Sequence, residues 1–202
     1  MSEVKNILLV GVGGQGTILA SKILSTGLVS AGYDVKMSEV HGMAQRGGSV
    51  TTQVRYGKKV YSPIIGMGQA DVLVSFEAME AFRYLGNLKV GGKVIVNDYR
   101  IQSAPILAGT ADYPADVLDV LSEKADTAII DASAIAARVG NPRTMNMVLF
   151  GAMIKAMNLE DCDWEQAIRE HVKESLVEVN LKAFAAGKDS VESAGELAGM
   201  AQ

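Results

Sequence analysis

Residues 7–16 read ILLVGVGGQG, an unbroken apolar run of strand length that ends in glycines and passes at Thr17 into a helical pattern. After it, Ala20, Ile23, Leu24, Gly27, Leu28 and Ala31 recur at helical spacing, and Gly32 stands where a helix C-terminus would fall. Residues 35–40 then predict a second strand carrying Glu39 near its end, so the chain opens as a strand–helix–strand unit of the length a parallel pair needs. The β-rich stretches Val50–Tyr56 and Val60–Ile64, joined by Gly57-Lys58-Lys59, predict an inserted hairpin. VLVSF (72–76) and KVIVN (93–97) bracket a helical pattern over Glu77–Leu88, with Gly91-Gly92 as the turn before the latter strand. A short strand near Pro105–Ala108, a helix over Ala115–Lys124 and the strand TAIID (127–131) follow. From Ile135 the pattern is mostly helical.

Apolar strands alternating with amphipathic helices predict an α/β fold: a Rossmann-like, mostly parallel sheet with helices on both faces, an inserted hairpin and a helical C-terminal part. Residues 1–187 are expected to form a single domain, and the Gly- and Ala-rich residues 188–202 a flexible tail. In such sheets ligands bind beyond the strand C-termini. The polar groups expected there are the Gly11 turn, Glu39, Glu77, Asn97 with Asp98, and Asp131.

Composition narrows the chemistry. A chain of 202 residues, 49% hydrophobic and 21% charged, has the length of one such domain. Its net charge of -4 offers no diffuse basic surface, which argues against nucleic acid. Cys162 is the lone cysteine, so neither an intrachain disulfide nor a four-thiolate metal site can be built, and a cytoplasmic setting is expected. No apolar run reaches the ~20 residues that span a bilayer, and ILLV is too short for a signal segment. GxSxG, HExxH and a P-loop lysine are absent.

Gly11, Gly13 and Gly16 satisfy GxGxxG between a strand and a helix, where bare backbone can approach a phosphate and free N–H groups point at it. The bland alternative is a tight turn that needs glycine for its geometry alone. Glu39 lies about 20 residues on, where a dinucleotide fold places its ribose-binding carboxylate; it could equally be a solvated strand end. The loop His41–Ser49 adds another glycine-rich segment. His41 could move a proton or simply satisfy loop backbone, and Arg46 could present its guanidinium to an anion or pair with Glu39 or Glu77. Asp131 reads as a helix N-cap, the Met-rich segment 145–157 as core, and His171 as part of a solvated helix face.

The strings GVGGQG, EVHGMAQRGGSV, SPIIGMGQADVLVSFEAMEA and VEVNLKAFAAG together resemble the small subunits of the 2-oxoacid:ferredoxin oxidoreductases over nearly the whole chain. The resemblance implies a complex that oxidatively decarboxylates a 2-oxoacid such as indolepyruvate or another arylpyruvate, passing the acyl group to coenzyme A and two electrons to ferredoxin. It implies that thiamine diphosphate, Mg and iron–sulfur clusters belong to a large alpha subunit, and that this chain alone binds no cofactor and is inactive. By matching motifs, Gly11, Gly13, Gly14, Gln15, Gly16, Glu39, His41, Gln45, Arg46, Gly47, Gly48 and Ser49 would line the shared site, with no catalytic acid or base assigned and no metal ligand. Two other readings stay open: a free-standing NAD- or flavin-binding oxidoreductase, and a nucleotide-sensing module. The isolated chain is also expected to be able to self-associate through the surface its partner covers.

Overall fold

The computed structural model describes residues 4–42 and 47–199. Among the described residues, six strands form one sheet: β1 (Lys5–Val12), β2 (Asp34–His41), β3 (Ser49–Gly57), β4 (Ala70–Ser75), β5 (Leu88–Asn97) and β6 (Asp126–Ile130), in the order β2-β3-β1-β4-β5-β6. β1, β4, β5 and β6 run parallel, while β3 is antiparallel to both its neighbours. The helices are α1 (Thr17–Ser30), α2 (Ala78–Tyr84), α3 (Ala104–Leu107), α4 (Val117–Lys124), α5 (Ala132–Arg138), α6 (Met145–Ala156), α7 (Trp164–His171) and α8 (Val177–Gly199).

Strand β1 is apolar throughout because both its faces are covered. Ile7 and Leu9 enter a core shared with α1, α6 and α7, whereas Leu8 and Val10 enter another core with α2 and α4. That is the two-sided burial of an α/β sheet. The Met-rich helix α6 lies in the first core, with Met147 and Met153 fully buried. No helix among the described residues is long and apolar enough to cross a membrane.

Several expectations are corrected. The first crossover does return the chain in the direction of β1, but β2 lands one position away and β3 fills the gap, so β1 and β2 are not a parallel pair. The hairpin is therefore β2–β3, closed at its base by Gly42 N–H donating to the Ser49 carbonyl (3.2 Å). Residues 60–64 form no strand, because side chains capture their backbone groups. Asp34 accepts from Val60 N–H (2.9 Å), and Arg55 donates to the carbonyls of Ser62 (2.9 Å) and Ile64 (3.2 Å). Residues 104–107 are a helical turn with Pro105 in its first positions, where a missing N–H costs nothing. Gly91-Gly92 lies within β5, whose pairing to β4 shifts register there. The last helix, α8, continues to Gly199.

Asp34 supports the segment after β3 through its charge. The Lys36 ammonium (2.5 Å) first, and the Val60 N–H second, hold its carboxyl at about 2. A folded-state value below the unfolded one, near 3.9, means that the stabilisation is present above pH ~4 and is lost as pH falls through about 2. Urea midpoints of wild type and Asp34→Asn are therefore expected to differ at neutral pH and to converge below about pH 2; a constant gap would show that charge is not its contribution.

Candidate functional site

The C-terminal ends of β1 and β4 form the switch point of the sheet: α1 leaves β1 toward one face and α2 leaves β4 toward the other. The turn Gly11–Gly16 sits there. Gly14 (φ 101°) and Gly16 (φ 85°) occupy the left-handed region that glycine enters freely, and Gly16 is the N-cap of α1. Gln15 bridges the two strands. Its Oε1 accepts from Val12 N–H (2.7 Å) and its Nε2 donates to the Phe76 carbonyl (2.8 Å) just past β4. Gly11 is packed beneath this clamp, since a Cβ there would lie 2.9 Å from both Gln15 Oε1 and Phe76. The Gly13 N–H is also committed, donating to the Gly48 carbonyl (2.9 Å), which ties the turn to the β2–β3 loop.

What remains free is the start of α1. It has no acidic residue in its first turn and, among the described residues, no side-chain cap, so its leading N–H groups and positive dipole end are left for another acceptor. They open on a cavity of about 470 Å³ walled by Gly14, Gly16, Thr17, Ile18, His41 and Val50. His41, at the end of β2, stands opposite Val50 in register. Glu39 lies one pleat inward on that face, opposite Thr52. Among the described residues, Glu39 Oε1 and Thr52 Oγ1 are buried without a hydrogen-bond partner. With β3 intervening, Glu39 is not beside β1 as a ribose-binding carboxylate of a dinucleotide fold would be.

The other sequence-derived candidates separate. Ser49 turns to the opposite face, where its Oγ donates to Glu80 Oε2 (2.5 Å), and Gly47 lies on the edge of another cavity there, of about 610 Å³. Gln45 and Arg46 lie outside the described residues. In this larger cavity Glu77, 1% exposed, accepts from the Tyr113 hydroxyl (2.7 Å), Ile101 N–H (3.1 Å) and Glu80 N–H (2.9 Å). Burial first, and the Glu77 carboxylate second, push the Tyr113 phenol above its ordinary range and keep it a donor. Glu80 also meets Arg83 (3.2 Å).

Polar residues at the strand ends thus serve mostly as caps. Glu77 and Asp131 cap α2 and α5, and Asn97 accepts from Ala132 N–H (3.1 Å). Sequence reading missed Thr17, Asn146, Glu80 and Tyr113. Of these only Glu80 carried a local sign, being three residues after the capping Glu77.

The sequence model of the pyruvate ferredoxin/flavodoxin oxidoreductase family matches residues 6–190. The chain is 38% identical to indolepyruvate oxidoreductase subunit IorB of Thermococcus kodakarensis, covering 96% of this chain and 98% of that protein. It is 40% identical to the subunit of the same name from Archaeoglobus fulgidus, over 90% and 92% of the two chains. Among solved structures it resembles the gamma subunit of a keto/oxoacid ferredoxin oxidoreductase from Geobacter sulfurreducens, with a TM-score of 0.70, 26% identity, and coverage of 94% of this chain and 99% of that one. A free-standing dinucleotide enzyme loses its ground with the displaced Glu39, and the chain belongs to the pyruvate ferredoxin/flavodoxin oxidoreductase family as a small subunit of a 2-oxoacid:ferredoxin oxidoreductase.

Proposed function

We propose that this subunit completes the active site of a thiamine-diphosphate-dependent enzyme acting on indolepyruvate or another arylpyruvate, and that its glycine turn receives the phosphates of coenzyme A. The reaction converts a 2-oxoacid, coenzyme A and two oxidised ferredoxins into acyl-CoA, carbon dioxide, two reduced ferredoxins and a proton. Thiamine diphosphate, Mg and the iron–sulfur clusters are assigned to a large alpha subunit, and the work to the cytoplasm, where ferredoxin is found. The similarity to IorB proteins, whose name specifies indolepyruvate, supports the substrate class.

The observation that carries the site is the uncapped N-terminus of α1 opening on a cavity of about 470 Å³. This geometry suits an anion, because free N–H groups and the helix dipole both favour negative charge. It suits a phosphate ester better than NAD, since Gln15 already fills the hydrogen bonds of the switch point and Glu39 is displaced from β1. Gly14, Gly16 and Thr17 would hold the phosphate, and His41 would stand on the opposite wall.

The test is reconstitution of arylpyruvate-dependent ferredoxin reduction from the separately purified large subunit and this chain. Turnover with coenzyme A is expected only when both are present. Full activity of the large subunit alone would overturn the proposal.

A further inference from the structure

The N-terminus of α6 meets the glycine turn from the side opposite β3. Asn146, in the first turn of that helix, is 6% exposed, and its amide lies against Gly16: a Cβ on Gly16 would fall 2.7 Å from Asn146 Nδ2. Among the described residues this amide has no hydrogen-bond partner. The other deeply buried asparagines do. Asn97 donates to the Phe76 carbonyl (3.3 Å) and Asn180 to the Leu176 carbonyl (2.7 Å). Unlike Glu39 Oε1 and Thr52 Oγ1, this amide is not sealed from solvent, so it stands open beside the start of α1, where an acceptor can reach it.

Thr17 repeats the pattern. It is 3% exposed, its methyl group packs toward Gly11, and its hydroxyl has no partner among the described residues although the residue lines the cavity. Two unpartnered side-chain donors and the leading N–H groups of α1 therefore gather around one turn. A planar carboxylate offers acceptors in one plane only. A tetrahedral phosphoryl group offers them in several directions.

We infer that Asn146 and Thr17 are the side-chain donors of a phosphoryl-binding site at the α1 N-terminus, with a phosphate or diphosphate ester as its ligand class. Gly16 has a further role in it, because any side chain there would displace the Asn146 amide. The inference rests on the reading that coenzyme A reaches this turn, and the test separates the two.

The complex of this chain with its large subunit is assayed with coenzyme A and with pantetheine, which keeps the thiol arm and lacks phosphate. Inorganic pyrophosphate serves as a competing probe. Asn146→Asp, which keeps the shape and puts a carboxylate beside the anion, is expected to raise KM for coenzyme A about tenfold or more, the scale of losing a hydrogen bond to a charged group. Inhibition by pyrophosphate should weaken in parallel, while kcat and KM for pantetheine stay put. Thr17→Val removes only the hydroxyl and is expected to act in the same direction; it carries the test should Asn146→Asp fail to fold. Unchanged KM for coenzyme A in both variants, with a raised KM in Gly16→Ala, would overturn the role of these side chains and leave the turn as a phosphate site. If Gly16→Ala also has no effect, the reading of the turn falls and the inference with it. Equal rises for coenzyme A and pantetheine would show a structural role and overturn the inference.

Discussion

Gly187→Ala is expected to destabilise the chain, although alanine in the middle of a helix is normally the better residue. The intrinsic preference favours alanine by ~1 kcal/mol. Against it, a Cβ at Gly187 would lie 2.0 Å from the Val148 carbonyl oxygen on α6, and a Cβ at Gly151 on α6 would lie 2.0 Å from the Phe184 carbonyl oxygen on α8. These obstacles are helix backbone, which cannot swing aside like a side-chain tip, so the two helices must part. Overpacking of this kind typically costs 1–3 kcal/mol and occasionally more, and we expect a net loss of about 2 kcal/mol. Each glycine admits the other helix's backbone, so the two substitutions share one separation. The double variant Gly151→Ala/Gly187→Ala should therefore cost clearly less than the sum of the singles. Urea unfolding reads both numbers. A Gly187→Ala variant as stable as wild type would mean that α8 does not sit on α6 as described.

That contact also marks where reading from sequence stops. Gly151 and Gly187 each have the character of helix breakers in isolation, and Gly187 reads as the point where a tail begins. Their purpose is visible only when the helices cross. The same limit governs the sheet. β1, β4 and β5 were legible because two-sided burial makes them apolar runs, which is a local property. The insertion of β3 between β1 and β2 was not, because adjacency in a sheet is decided by pairing between distant residues. Val60–Ile64 has strand composition, and only the distant Asp34, together with Arg55, shows why its backbone is held by side chains instead. At the site, glycine spacing and the departure at Gln15 stood out locally, and so did the loop that follows β2. The partners that give them meaning were out of reach: Phe76 is 61 residues from Gln15, and Asn146 lies on a helix far along the chain.

Gln15 should prove the most sensitive side chain of the turn, and two substitutions separate its structural contribution from its electrostatic one. Gln15→Leu keeps the bulk and removes both ends of the clamp. Val12 N–H loses its acceptor (2.7 Å), and the Phe76 carbonyl keeps only the longer bond from Asn97 (3.3 Å). Leaving a partly buried N–H unpaired costs about 1–3 kcal/mol, and the turn that aims α1 loosens with it. We expect a stability loss in that range, together with a raised KM for coenzyme A at any salt concentration. Gln15→Glu can still accept from Val12 N–H but sets a carboxylate oxygen against the Phe76 carbonyl, and it adds a negative charge to the turn proposed to hold phosphate. Its KM for coenzyme A should rise further than that of Gln15→Leu in low salt, and the excess should shrink as ionic strength screens the charge. If Gln15→Leu melts with wild type, the bridge between β1 and β4 is not what positions the turn. If the Gln15→Glu excess does not respond to salt, the ligand at α1 is not an anion.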